Sequence, residues 1–384
     1  MSNETGKGMT YAGTGVDYAT LDPFKLACQQ RAMLTANNAA HLGFVPLEHT
    51  RGESVYVIKM GDTYIGIVEE GLGTKNLVAD ITRHITGRTH YDEVAKDTFA
   101  MIANDLVTLG ILPGAVCMHL AVGNSRWFDN ERRTQDLIRG WGDACDEAEC
   151  IWAGGETPTL RDIVFPNTAL FSGSAFGTAP KGLFDPENIQ DGDAIVFLNS
   201  SGIHANGLTM ARDIAERIPL GYSTPIAKPG SLGGKETYGE SLLRPTHIYT
   251  PFIKACLDAG IEIHYCINIT GHGWRKLMRA PQKFAYVIEE LPPKLPIFDF
   301  IWEHGNVTPK EMYGNFNMGA GFALIVPPKE IRRLPEIAVK VLKSSGSSKY
   351  DVSFGAGTVQ QSDEKLVSIE PLGIVFESES LAVR

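Results

Sequence analysis

The sequence predicts a two-domain protein of mixed α/β or α+β class. Three observations lead there. The chain has 384 residues, more than one compact core usually holds. Two apolar runs, Ser54 to Met60 and Thr63 to Val68, meet at Gly61-Asp62 as an antiparallel hairpin would. Long helical stretches such as Tyr91 to Gly110 stand close by, and that mixture excludes a β-sandwich. Pro180-Lys181-Gly182 reads as a joint, so the expected domains are 1–180 and 181–384.

The remaining elements follow in order. Gly110 and Pro113 end the helix from Tyr91. Strands are expected at Ala115 to Val122, Ile151 to Gly154 and Thr168 to Thr178, with an amphipathic helix over Arg132 to Ala148. The second half opens with a strand, Ala194 to Asn199, and a helix, Ala205 to Arg217. Pro219 to Gly239 is rich in Gly, Pro, Ser and Lys and reads as a loop. A helix over Thr246 to Ala259 and a strand over Glu262 to Ile269 come next. Strand Ala323 to Val326, helix Lys329 to Lys343, a serine-rich turn over Lys343 to Lys349 and strands near Val352 and Ile374 finish the chain.

Composition narrows the function. The net charge of −10 argues against a nucleic-acid surface, so an anionic ligand needs a local basic pocket or a metal. No run approaches the ~20 apolar residues of a membrane span, and the polar start has no signal-peptide core. The six cysteines are scattered without CxxC spacing, which suggests reduced thiols of a cytoplasmic protein.

Five segments place polar or glycine residues where a core would not want them. Glu69-Glu70-Gly71-Leu72-Gly73-Thr74-Lys75 ends a strand. Its glycines admit close backbone approach, its lysine suits a phosphate, and its carboxylates suit a hard cation. It is too short for a Walker A loop. Asp97, Asn104 and Asp105 share a helix face, as ligand-binding groups or as a solvated surface. Gly154-Gly155-Glu156 ends another strand, as a ligand loop or a plain turn. Ser200-Ser201-Gly202-Ile203-His204-Ala205-Asn206-Gly207 leads from a strand into a helix, where free N–H groups, hydroxyls and an imidazole could receive an anion or merely cap the helix. Ile269-Thr270-Gly271-His272-Gly273-Trp274 repeats that design.

Taken in order, these segments resemble the aminoimidazole ribonucleotide synthetases, or phosphoribosylformylglycinamidine cyclo-ligases. The resemblance also covers Gly15-Val16-Asp17, Leu243 to Tyr249, Gly305-Asn306-Val307, Glu311-Met312-Tyr313 and Phe316-Asn317-Met318-Gly319, and so nearly the whole chain. Four places depart from the family pattern. Glu69-Glu70 stands for Thr-Asp, His272 for a glycine, and Pro158-Thr159-Leu160-Arg161 for Ala-Glu-Met-Pro; the glycine-rich loop ahead of the first long strand shrinks to His41-Leu42-Gly43-Phe44.

The resemblance implies a cyclo-ligase-like fold in which N-terminal domains pair strands into a barrel across a homodimer beside a C-terminal α/β layered domain. It implies ATP and Mg²⁺ as cofactors, a ribonucleotide substrate and a place in purine biosynthesis. Carried over, Lys75, Asp105 and His204 would be catalytic. Gly71, Gly73, Thr74, Lys75, Asn104, Gly154, Gly155 and Glu156 would bind ATP. Ser201, Gly202, His204 and Asn206 would bind the substrate, and Glu70, Asp97 and Asp105 the metal. Two other readings stay open: another ATP-dependent enzyme of the superfamily with a changed substrate, or a non-catalytic nucleotide-binding homodimer.

Overall fold

The computed structural model describes residues 8–226, 236–345 and 352–381. The middle of the loop expected at 219–239 and most of the turn expected at 343–349 lie outside them. The chain begins with helix α1 (Tyr18–Met33), which Asp17 caps by accepting the Ala19 N–H at 3.0 Å. Helix α1 shows no apolar stripe, so sequence periodicity gives no sign of it. Within it Asp22 alone is buried.

The first sheet contains β1 (Phe44–Pro46), β2 (Tyr56–Met60), β3 (Thr63–Gly71), β4 (Leu112–Val122), β5 (Ile151–Glu156) and β6 (Ala169–Thr178), in the order β1-β2-β3-β6-β4-β5. Met60 pairs with Thr63 across the turn, where Gly61 takes φ +59°, so the expected hairpin is present. All neighbours are antiparallel except β4 and β5. One face packs on α3 (Tyr91–Leu106), which lies between α2 (Lys75–Thr86) and α4 (Glu131–Glu147) in the chain. The other face is open: Ile67 and Phe176 are directly paired on it, 46% and 52% exposed.

Helix α3 is buried on almost every side, which explains apolar residues too widely spread for one stripe. Phe99 and Ile102 belong to the apolar core, while Asp97 and Asn104 bond to the second half of the chain. Gly110, in a left-handed conformation at φ +78°, ends the short 3-10 turn that follows α3.

The second sheet holds β7 (Ala194–Asn199), β8 (Tyr265–Asn268), β9 (Phe284–Ile288), β10 (Ala320–Val326), β11 (Val352–Gln361), β12 (Leu366–Ile369) and β13 (Ile374–Glu377), in the order β13-β12-β9-β11-β7-β10-β8. Both faces of β7 are covered: Ile195 and Phe197 join one core and Val196 and Leu198 another. Around the sheet lie α5 (Leu208–Arg217), α6 (Tyr238–Leu242), α7 (Thr250–Asp258), α8 (Pro296–Gly305), α9 (Pro309–Asn315) and α10 (Leu334–Ser345).

Three expected helices start late; the one expected from Lys329 begins as α10 at Leu334, after a 3-10 turn over Pro328–Glu330. Left-handed His204 (φ +59°) and Gly207 (φ +85°) delay α5 to Leu208. Residues 246–249 are held by α3, and α7 begins at Thr250 with Pro251 in its first turn. Among the described residues no helix is long and apolar enough to cross a membrane.

Candidate active site

Four segments converge on a cavity of about 360 Å³ between the two sheets. Glu70 to Thr74 arrive from the end of β3, and Ala205 to Thr209 from the start of α5. Thr270 to His272, with Lys276 and Arg279, follow β8; Tyr11, Val16, Tyr18 and Lys25 come from the N-terminal arm. The N-termini of α2 and α5 therefore meet at one place, where free N–H groups and helix dipoles favour negative charge. Lys25, Lys276 and Arg279 add three cations in a chain of net charge −10. Buried Thr74 Oγ1, Asn206 Nδ2 and His272 Nε2 have no hydrogen-bond partner, although their residues line the cavity. Such atoms cost stability unless a ligand or water meets them.

One wall is acidic. Burial, and next the nearby Asp105 carboxylate, push the Glu70 carboxyl up to about 7, with Lys276 opposing. Burial, and next Arg279, bring the Lys276 ammonium down to about 8, against the pull of Asp105 and Glu70. Asp105 Oδ1 accepts from Asn268 Nδ2 at 2.7 Å. Among the described residues no three His, Cys, Asp or Glu side chains group as metal ligands. Glu70 and Asp105 offer two carboxylates, which suits Mg²⁺ bound through one or two carboxylates plus phosphate oxygens and water.

Several expected site residues lie behind this wall instead of on it. Lys75 does not present its ammonium to the cavity. Its Nζ sits 2.7 Å from Asp97 Oδ2, both side chains wholly buried, and donates to the carbonyls of His204 (3.1 Å) and Arg244 (2.8 Å). Burial pulls the Lys75 pKa down and the Asp97 pKa up, and their mutual attraction opposes both shifts. Asp97 Oδ1 also accepts from Thr246 N and Oγ1, at 2.8 and 2.5 Å, so Asp97 is not available to a metal. Asn104 is likewise spent: Oδ1 accepts from Tyr249 N and Nδ2 donates to His247 O, each at 2.8 Å.

His204 turns inward as well. Its Nε2 accepts from Ser201 N at 3.2 Å, and burial, with His247 and Lys75 nearby, holds its pKa well below the usual imidazole range. It is a neutral strut of its own loop, not a donor to a bound anion. Ser201 Oγ donates to Pro245 O at 2.5 Å, and the Gly202 carbonyl accepts from Asn317 Nδ2 at 3.0 Å. Of the four expected substrate contacts, Asn206 alone lines the cavity.

Gly154, Gly155 and Glu156 are exposed at an edge strand, away from the other candidates. Gly71, Ser172, His119 and Glu156 pair in a row across four strands, which sets Glu156 about 14 Å from Gly71. Gly155 has a packing reason: a Cβ there would lie 1.9 Å from the Met118 carbonyl oxygen.

A larger cavity, about 560 Å³, is lined by Arg88, His90, Glu93, Glu236 and Arg244 among others. Its charges pair with one another, Arg88 with Glu93 and Arg244 with Glu236.

Residues 52–179 match the family described as AIR synthase related protein, N-terminal domain, and residues 190–342 the corresponding C-terminal domain. The chain is 33% identical to the phosphoribosylformylglycinamidine cyclo-ligase of Pyrococcus horikoshii, across 96% of this chain and 100% of that protein. It is 32% identical to the Methanocaldococcus jannaschii protein of that name, across 86% and 89%. The chain belongs to the AIR synthase-related family.

That membership bears out the resemblance read from the motifs. Solved structures agree in fold. The HypE–HypF complex matches with a TM-score of 0.56 at 13% identity, over 85% of this chain and 92% of that one. AaThiL complexed with AMPPCP and TMP matches with a TM-score of 0.54 at 14% identity, over 82% and 87%. At those identities they show the shared fold alone.

Reading the family motifs leaves out Tyr18, Lys25, Lys276 and Arg279, all of which line the cavity. The basic run Arg275-Lys276, with Arg279 three residues on, could have pointed to the last two. Tyr18 and Lys25 carry no local signal, because only tertiary structure brings the arm to the cleft.

Proposed function

We propose that this protein is an ATP-dependent cyclo-ligase of purine biosynthesis. It would convert formylglycinamidine ribonucleotide to aminoimidazole ribonucleotide, releasing ADP and phosphate. The observation that carries this is the convergence of two helix N-termini and three cations on one cavity with an acidic wall. The names of the relatives point to the same chemistry.

In this reading Gly71, Gly73, Thr74 and the start of α2 hold ATP phosphates. Asn206 and the start of α5 receive the ribonucleotide phosphate. Glu70 and Asp105 would hold Mg²⁺, which would supply positive charge to offset the negative charge that develops in phosphoryl transfer. The γ-phosphoryl group passes to the amide oxygen as its bond to ADP breaks. An amidine nitrogen then attacks the activated carbon, the ring closes, and phosphate leaves with the former amide oxygen. The protein's share is positioning, exclusion of water and fixed positive charge from Lys276 and Arg279. Lys75, Asp97, Asn104, Ser201, Gly202 and His204 hold the loops in register, and Gly154, Gly155 and Glu156 take no part.

The open face of the first sheet pairs with that of a second copy, giving a homodimer. Apolar side chains on that face support this, because an unpaired apolar sheet surface is a liability in a monomer. A cytoplasmic enzyme fits the absence of a membrane-crossing helix among the described residues. A coupled assay for ADP tests the reaction. Release that needs both ATP–Mg²⁺ and formylglycinamidine ribonucleotide is expected. Release indifferent to the ribonucleotide would move the chain to another kinase chemistry, and no release at all would leave a binding protein.

A further inference from the structure

Helix α1 touches the body of the protein along a narrow face. Tyr18, Asp22 and Lys25 fall on that face at spacings of four and three. The Tyr18 ring stacks on the His272 imidazole, with centroids 3.7 Å apart and planes at 25°. On its far side Tyr18 stacks on Tyr11 at 5.9 Å and 18°. Tyr11 is anchored twice: its N–H donates to Glu311 Oε1 at 2.7 Å, and its hydroxyl accepts from Gly207 N at 3.2 Å. A three-ring column therefore ties the arm to the loops that open α5 and follow β8.

His272 is an unusual residue for its place. It takes φ +67°, a left-handed conformation that costs a side chain energy. It is 8% exposed, and its buried Nε2 has no hydrogen-bond partner, with Asp22 Oδ2 3.7 Å away. Burial, then Arg275, Lys276, Lys25 and Arg279, bring its pKa down to about 3, so the ring is neutral and suited to stacking. Lys25 Nζ lies 5.7 Å from the Tyr18 ring centroid and 3.4 Å from Asp22 Oδ1, and Lys25 lines the cavity.

We propose that the Tyr18–His272 stack is a clamp that holds α1 across the cleft and positions Lys25 to contact a phosphate-bearing ligand there. Tyr18 and His272 are positioning residues; Lys25 is the contact. The proposal rests on the reading of this cavity as the ligand site. Two ligands could own the phosphate, ATP or the ribonucleotide, and separate kinetic arms distinguish them.

The full-length enzyme is tested as His272→Gly, Tyr18→Ala, Tyr18→Phe and Lys25→Met. Glycine accepts φ +67° without strain, so His272→Gly removes the ring without disturbing the turn. Tryptic cleavage after Arg31 reports release of α1. It should accelerate at least several-fold in His272→Gly and Tyr18→Ala, and return to the wild-type rate in Tyr18→Phe. The Michaelis constant for one ligand, ATP–Mg²⁺ or the ribonucleotide, should rise about tenfold in His272→Gly, Tyr18→Ala and Lys25→Met, with a smaller change in kcat. Lys25→Met should leave the cleavage rate unchanged. Unchanged cleavage in both ring-removing variants overturns the clamp. Faster cleavage with both Michaelis constants unchanged overturns the role of Lys25. Wild-type protein that binds neither ligand calorimetrically overturns the cleft reading and the Lys25 contact with it, while the cleavage result still decides the clamp.

Discussion

Lys75 Nζ lies 2.7 Å from Asp97 Oδ2, in an ion pair with no exposed side-chain surface on either partner. The pair joins the start of α2 to the middle of α3, and through the carbonyls of His204 and Arg244 it reaches the second half of the chain. Motif order reads Lys75 as a phosphate contact and Asp97 as a metal ligand. The geometry makes them one strut, which Lys75 ties to the carbonyls of His204 and Arg244.

That arrangement sets the first prediction. Removing one charge strands the other in a dry interior, which typically costs about 3–5 kcal/mol. Lys75→Met and Asp97→Asn should each lower stability on that scale in urea unfolding monitored by fluorescence. The double variant should recover part of the loss, since neither charge is then left alone. A lysine that merely met a phosphate would give a Lys75→Met protein of wild-type stability and poor turnover. Wild-type unfolding curves for both single variants would therefore return these residues to the ligand site.

How much was legible in the sequence follows from this pair. The hairpin at Gly61-Asp62, the α3 run and the buried strand β7 carry local periodicity and turn residues, and all three stand where expected. The order of motifs was sufficient for the family. What a motif cannot show is which way a polar side chain turns. Glu70 and Asp97 are both carboxylates within family motifs; Glu70 faces a cavity and Asp97 faces Thr246. His204 likewise sits in an anion-binding type of loop, yet its left-handed backbone folds the ring back onto Ser201 N. Helix α1 was missed because most of its surface is in water, so its sequence has no apolar period to read.

The second prediction concerns the acidic wall. Asp105→Asn keeps size and loses charge, and its amide can still accept from Asn268. Turnover should fall by about two orders of magnitude or more, as expected when a charge that fixes a phosphoryl-transfer metal is lost. The melting temperature of the ligand-free protein should change little. Steady-state kinetics with calorimetric melting separates the outcomes: full activity removes Asp105 from the metal site, and a large loss of stability makes it a structural carboxylate.

A third prediction uses the pH dependence of Glu70. Its carboxyl is pushed up to about 7, above the ordinary unfolded value. Between the two values the folded protein holds a proton that the unfolded chain releases, so stability falls as pH rises through that window. Below it both states are protonated and the effect vanishes. Glu70→Gln stays neutral throughout and should melt about 2–5 °C above wild type at pH 8, with the gap closing by pH 4.5. The affinity of wild type for ATP–Mg²⁺ should rise through pH 7 as the carboxylate ionises, and the variant should lose that rise. Parallel melting curves at every pH would show that Glu70 ionises as an ordinary carboxylate.

The last prediction concerns the open face of the first sheet. Ile67 and Phe176 are direct cross-strand partners on β3 and β6, both about half exposed. Met60 on β2 and Ile151 on the edge strand β5 are exposed as well. On the opposite face Val68 and Ala175, also paired, are buried on the core. Two faces of one sheet with apolar side chains usually mean that both are covered in the working assembly. A stable dimer typically buries about 800 Å² per partner, an area a six-stranded face can supply. Light scattering at micromolar concentration should give twice the 41.8 kDa chain mass. Ile67→Asp combined with Phe176→Asp places two carboxylates at the centre of that surface, where desolvation opposes association, and should yield a monomer that keeps its secondary structure by circular dichroism. A wild-type protein that scatters as a monomer would leave the face without this partner.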